Sequence, residues 1–500
     1  MSEREHEAPP AALPLGFTVE LGRLVTVRDR GRSLVGGTPT RAIYITEAAA
    51  SMFAGRRLTV TDPPSAGLAD KLLEIGMADP VLESLPPGDE RDVTFVIPIF
   101  RRPKALDRLL ASIGPGHRVI VVDDGSPDPG AARASAEAYA ALFVGLPENI
   151  GPAGARNAGL ALVTTRFVVF VDSDVVVAPG TVETLLRHFT DPRVAVAAPR
   201  IVGLATSARQ NWISRYEDAR SSLDLGPYPA SVRPRSKVSW ISTSLVLARV
   251  DALGSGFAPG MRVGEDVDLV WGLVARGWRV RYEPAATSGH EHRVSFDDWA
   301  KRKAFYGTGG HALAVRHPGN IAPAVLAPWS VAVVLALLAQ RRWSAPAALL
   351  VSAAAAWRIS RRLGRHEHPL RIATALTVAG VGASLSQTIA LLTRHWWPLA
   401  VVGSVFSRRL RRATLAAALV DTVLDYRRTA PRLDIVRFGI ARRADDLSYG
   451  AGLWLGAVRG RSTAALRPDL SGDRIGSALR ARATAKPRSS ARMPRHRPPR

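Results

Sequence analysis

The chain contains no cysteine, which excludes structural disulfides, thiolate-ligated zinc and thiol nucleophiles. Acidic residues are also scarce, with 43 Asp and Glu against 67 Lys and Arg and a formal charge of +24. The opening stretch MSEREHEAPP lacks the apolar run of a secretory signal, so the chain is expected to start in the cytoplasm. No GxxxxGK[ST] phosphate loop occurs in the glycine-rich segment 148–160, and no GxGxxG follows the first strand of the alternating region. The basic excess raises the question of nucleic acid, and its location argues against it. Residues 461–500 hold eleven Arg or Lys against two Asp in a Pro/Ser/Ala-rich tail that reads as disordered. Much of the rest flanks apolar segments, where cations meet anionic lipid more naturally than bases. No nucleic-acid partner is expected. Five hundred residues suggest two to four domains.

Against these absences stands FVVFVDSDVVV, residues 167–177. Its β-branched and aromatic run reads as a strand buried on both faces, delivering Asp172 and Asp174 to its carboxyl end, where open α/β sheets bind ligands. Paired carboxylates there suit a divalent metal carrying a phosphorylated ligand; a solvated turn is the alternative. VTFVIPIF, an amphipathic helix over 104–112 and HRVIVVDDGS repeat a strand–helix–strand grammar that predicts a parallel sheet. Asp123 and Asp124 end the second strand, placed to accept from a base N–H or a ribose hydroxyl, or to cap a turn. ENIGPAGARNAGL gives a Gly/Ala helix start suited to negative charge, with Arg156 near a diphosphate or base. Trp240, in a polar loop with Ser239 and Ser242, offers a face for a sugar or a side chain for the core. Glu265 and Asp266 open a helix, and Asp266 is a candidate general base. His290 and His292 follow a further strand as candidate metal ligands.

The N-terminal stretch alternates weakly through Phe17, Val19 and Leu21, and predicts two or three strands with two or three short helices. An exposed strand edge in such a module could pair with an extended peptide; packing or oligomerisation is the alternative. In the last third, residues 321–340 and 372–393 carry no charge over spans long enough to cross a bilayer, with Arg clusters at 358–365 and 408–412. They predict either a spanning or re-entrant hairpin, or helices lying on the inner leaflet. Residues 413–460 read as amphipathic and interfacial.

Taken in order, IPIFRRP, VVDDGS, GPAGARNAG, FVDSD, VGEDVDL and GHEHR closely resemble the family 2 glycosyltransferases of GT-A fold. The resemblance implies donor contacts from Pro98, Asp123, Asp124, Arg156, Asp172, Trp240 and Glu265. It also implies Mn²⁺ or Mg²⁺ on Asp172, Asp174 and His290, and Asp266 as base. The QxxRW motif of processive synthases is absent, leaving Arg302 or Lys303 as candidates for the leaving phosphate. Residues 13–82 resemble the winged-helix-like peptide-recognition domains of ribosomal-peptide maturation, such as the pyrroloquinoline-quinone peptide chaperone.

The expected architecture is thus a small α+β module over 1–88 and an α/β GT-A domain with a mostly parallel sheet over 89–318. A membrane-associated helical region over 319–460 and a basic tail over 461–500 complete it. This layout resembles the glycosyltransferases of the mycofactocin system. That resemblance implies metal-dependent, inverting glucose transfer from a nucleotide sugar to a peptide-derived redox cofactor precursor, building a β-1,4 chain at the cytoplasmic face of the membrane. A rhamnosyl- or galactofuranosyl-type transferase acting on a lipid-linked acceptor is the enzymatic alternative, and a non-catalytic peptide-binding membrane scaffold the other.

Overall fold

The computed structural model describes residues 12–204, 211–292 and 295–471. The first module holds seven short strands: β1 (Thr18–Leu21), β2 (Thr26–Arg28), β3 (Ser33–Gly36), β4 (Arg41–Tyr44), β5 (Phe53–Ala54), β6 (Arg57–Thr59) and β7 (Ala78–Pro80). They form two small sheets, ordered β5-β6-β1-β7 and β2-β3-β4. Two helices accompany them, α1 (Glu47–Ser51) and α2 (Pro63–Glu74). α2 begins in a capping box between Asp62 and Ser65, which satisfies two otherwise orphaned N–H groups. The module is richer in strands than expected, because strands of two to four residues are too short to show an alternating pattern.

The second region is built on a nine-stranded sheet. Its elements in chain order are β8 (Val93–Ile99), α3 (Pro103–Ile113), β9 (Arg118–Asp123), α4 (Gly130–Ala138), β10 (Leu142–Gly145) and α5 (Gly151–Leu160). Then come β11 (Phe167–Val171), β12 (Val175–Val177), α6 (Thr181–Arg187), β13 (Val194–Gly203), α7 (Trp212–Arg220) and β14 (Ala230–Ser231). β15 (Leu245–Arg249), α8 (Val250–Leu253), α9 (Glu265–Ala275) and β16 (Arg279–His290) complete it. The strand order is β10-β9-β8-β11-β15-β13-β16-β12, with β14 on β16.

Strands β10 to β11 run parallel, as expected, but β15 is antiparallel to both β11 and β13, and β12 and β14 are antiparallel to β16. The sheet is therefore mixed, not mostly parallel. An apolar strand reports burial on both faces and not direction, which the connections set. Alternate residues feed two cores. Val169 and Val171 pack with Leu106, Leu109 and Leu185 on one face, and Val168 and Phe170 with Trp271 and Tyr282 on the other. Each such side chain contributes about 1.5–3 kcal/mol by leaving water.

The last third is helical: α10 (Phe296–Arg316), α11 (Pro328–Leu338), α12 (Ser344–Ser360), α13 (Pro369–Ala390), α14 (Trp397–Phe406), α15 (Arg408–Thr429) and α16 (Ile435–Arg459). The expected span over 321–340 is only the eleven-residue α11, about 16 Å of rise, since Pro328 starts the helix late. α13 with its π-helical end, Pro369–His395, is long and apolar enough to cross a membrane, with 17% of its apolar window buried.

The structure adds detail to the last two segments. α16 has a protein-buried face, with Phe438, Ala441, Asp446 and Leu453 buried, while Val436, Ile440 and Val458 are exposed. It packs against α10 so closely that a Cβ on Gly452 would lie 1.8 Å from the Ala304 carbonyl oxygen. Periodicity shows that a helix has a buried face and not what covers it. Residues 461–471 do not join a tail: Ala465 and Leu466 are buried and the Asp469 carbonyl accepts from the Leu326 N–H at 2.8 Å. The remainder of the expected basic tail, 472–500, lies outside the described residues.

Candidate active site

The carboxyl ends of β8, β9 and β11 open into one cavity of about 2050 Å³. Pro98, Asp124, Arg156, Asp172, Asp174, Trp240, Glu265, Asp266 and His290 all line it. Asp123 does not reach the wall. It is 2% exposed, its Oδ2 accepts from the Ser126 N–H at 2.9 Å, and its Oδ1 has no partner. Asp124 accepts from the Ile150 and Gly151 N–H groups at 2.8 and 3.0 Å, so this acid holds the start of α5 against the end of β9.

Arg156 has a different position from the one its motif suggests. Its guanidinium is buried and donates to Asp172 Oδ1 at 2.6 Å and Glu265 Oε1 at 3.0 Å, and it lies over the Phe257 ring. Instead of pointing free at a diphosphate, it ties the end of β11 to the start of α9. A buried cation between two carboxylates supplies the counter-charge that both require. Asp172 lies deep in the protein yet keeps 31% of its side chain open to the cavity. Burial pushes its carboxyl up, against the pull of Arg156.

α9 begins after Gly264, which adopts φ 81°, a left-handed turn that glycine makes without strain. Its first turn carries three acids with separate surroundings. Glu265 takes Arg156, Asp268 takes Arg316 and His317, and Asp266 accepts from the Val267 N–H while facing the cavity. Burial first, and then the charge of Glu265, push the Asp266 carboxyl up to about 7. A carboxylate poised near neutrality fits general-base chemistry.

Antiparallel pairing of β12 with β16 sets Val175 opposite His290 and brings the imidazole beside the second aspartate. His290 Nε2 lies 3.6 Å from Asp174 Oδ1, while His292 Nε2 lies 3.2 Å from Asp218. The first histidine of GHEHR therefore belongs to this wall and the second does not.

Among the described residues no three His, Asp or Glu side chains are already gathered as a metal cage, and Asp174 pairs with Arg102 at 2.8 Å. The donor set still fits Mn²⁺ or Mg²⁺ chemically. Two carboxylates and an imidazole whose Nδ1 lacks a partner share one wall, an oxygen and nitrogen set suited to a hard divalent cation.

Several lining residues were not legible in advance. Arg102 sits just after β8, inside the IFRRP stretch, and its distance from Asp174 gave no signal. Arg262 lines the cavity from the loop before α9. Both cations considered for a leaving phosphate line the cavity; Lys303 is already paired with Glu217 at 2.9 Å, whereas Arg302 lies over Phe305 and Tyr306.

Residues 94–240 match the family described as Glycosyl transferase family 2. The chain is 41% identical over 468 residues to the pre-mycofactocin glycosyltransferase of Mycobacterium tuberculosis, covering 92% of this chain and 98% of that one. It is 28% identical over 220 residues to the succinoglycan biosynthesis protein ExoO of Rhizobium meliloti, covering 42% of this chain and 62% of that one. Among solved structures, the mannosyltransferase PcManGT from Pyrobaculum calidifontis aligns over 61% of this chain and 89% of that one, at 20% identity and a TM-score of 0.35. A full-length relative at this identity places the chain in its family: it belongs to the pre-mycofactocin glycosyltransferases and is a family 2 glycosyltransferase.

Proposed function

We propose that the protein transfers glucose from UDP-glucose to premycofactocin and repeats the transfer to build a β-1,4-glucan. The observation that carries this reading is the joining of Asp172 to Glu265 through Arg156, which sets Asp266 on the same cavity as the strand-end acids. Asp124 and Pro98 border the nucleoside, with Asp123 shaping the turn behind them. Trp240 gives the sugar a flat apolar face. Asp172, Asp174 and His290 would hold Mn²⁺ or Mg²⁺, which when bound neutralises charge on the departing diphosphate. Asp266 takes the proton from the acceptor hydroxyl as that oxygen attacks the anomeric carbon. A single displacement inverts the centre, so an α-linked donor gives a β-glycoside.

The helical region supports placement at the cytoplasmic face of the membrane. Leu349, Leu350, Val378, Val402, Val405 and Phe406 are exposed on α12 to α14, beside the Arg clusters at 358–365 and 408–412. Apolar side chains rimmed by cations suit an anionic leaflet. The same surface favours a second reading, a lipid-linked acceptor. Product mass separates the two. Full-length protein with UDP-glucose, a divalent metal and premycofactocin should give products heavier by successive hexoses, whereas products only with a lipid-linked acceptor would support the second reading. Absence of metal-dependent transfer with either would remove both.

A further inference from the structure

The cavity exceeds the space a nucleotide sugar needs. At about 2050 Å³ it is larger than the roughly 300–1,000 Å³ of an ordinary small-molecule site. Part of its wall comes from the N-terminal module: Pro39, Thr40 and Arg41 at the β3–β4 turn, and Lys71 on α2.

That turn is held in place by the catalytic region. Arg233 donates to the Glu74 carbonyl at the last turn of α2 and to the Thr38 carbonyl, the latter at 3.2 Å. A guanidinium is suited to a helix C-terminus, whose final carbonyls lack partners within the helix. Arg279 pairs with Asp70 of α2 and with Asp191 at 2.5 and 2.6 Å, and Arg281 with Asp79 of β7 at 2.6 Å. The segment that carries Arg233 continues to Trp240 on the same cavity. One short stretch thus fixes both the sugar face and the N-terminal turn.

The Arg41 side chain is half-buried and makes no hydrogen bond or ion pair among the described residues, whereas Lys71 also pairs with Glu74 at 3.2 Å. Burial, then the charge of Arg41, hold the Arg233 guanidinium down to about 10, so the turn brings positive charge to the cavity. Arg and Lys offer donors and no acceptors, so what they take must present oxygens.

We infer that the β3–β4 turn is an acceptor-selecting lip of the active site. Arg41, with Lys71, binds carbonyl or carboxylate oxygens on the acceptor's body while Asp266 addresses its hydroxyl. The module then acts as a wall of the reaction cavity and not as a separate docking arm. This rests on the glycosyl-transfer reading and adds the acceptor's chemistry to it.

Full-length Arg41→Ala and Lys71→Ala test the inference, with initial rates measured against premycofactocin and UDP-glucose separately. The acceptor KM should rise about tenfold, the loss of one hydrogen bond to a charged group, with kcat and donor KM unchanged. Arg41→Lys should recover part of the loss, and Arg233→Met, which frees the turn, should raise the acceptor KM as well. Calorimetric titration of premycofactocin without donor gives a readout that needs no turnover, and Arg41→Ala should weaken it equally. An acceptor KM and acceptor affinity unchanged in both alanine variants would overturn the lip while leaving glycosyl transfer standing. A wild type that binds premycofactocin through Arg41 but transfers nothing would instead remove the proposed function and retain the lip.

Discussion

The cavity wall made by the ends of β8, β9 and β11 takes its side chains from residues 98–174, whereas the rest is assembled from Arg41, Trp240, Asp266, Arg302 and Gln387, spread across the chain. The first wall needs only one sheet to form. The second needs three regions to be docked correctly, through Arg233, Arg279 and Arg281 at the N-terminal side and through α10 against α16 at the other. Damage to the docking of the N-terminal side is therefore expected to weaken acceptor handling first, since it spares the acids at the strand ends.

The largest effect is expected where the two walls meet. Asp266→Asn should lower transfer by about 10²–10⁴-fold, the usual value of a general base, while UDP-glucose binding by calorimetry persists. The same variant should gain stability relative to wild type at alkaline pH. The folded carboxyl titrates at about 7 against an ordinary 3.8, so the folded state binds more protons over that interval and loses stability as pH rises through it. Asn escapes that loss, and below the interval the two should melt alike.

Arg156→Met comes next. It leaves Asp172 and Glu265 without their shared cation, and breaking a buried pair costs about 3–5 kcal/mol. The urea midpoint should fall accordingly, and donor binding should weaken with it. An unchanged midpoint would mean that the strand-end wall does not need this link.

A smaller effect should strike the docked wall alone. Gly452→Ala places a methyl against the Ala304 carbonyl oxygen, and overpacking of this kind costs about 1–3 kcal/mol. The melting temperature should drop and the acceptor KM rise, with donor affinity kept. Loss of both affinities together would show that the walls are not independent.

Much of the strand-end wall and of the start of α9 was legible in the sequence because its information is local. FVDSD carries both acids within three positions, and GEDVD sets three acids on one helical turn. Arg156 was legible as a cation near the site but not as a link, because Glu265 lies 109 residues away in the chain. Asp123 and Asp124 read alike as neighbours, yet only Asp124 reaches the cavity, since adjacent residues at a strand end point to different sides. The antiparallel β15 was hidden because its apolar residues are buried on both faces, as a parallel strand's would be. Nothing in GGTPTR announces that Arg41 joins a cavity with Asp266; tertiary docking creates that relation.

The central claim is that Asp266 is the base, and the pH dependence of transfer by the wild-type protein at saturating donor and acceptor tests it most directly. The rate should climb about tenfold per pH unit on the acidic side, as ionisation of the base requires, and level off near the value of about 7 at which Asp266 titrates. A rate that stays flat through that interval while UDP-glucose remains bound would contradict the account.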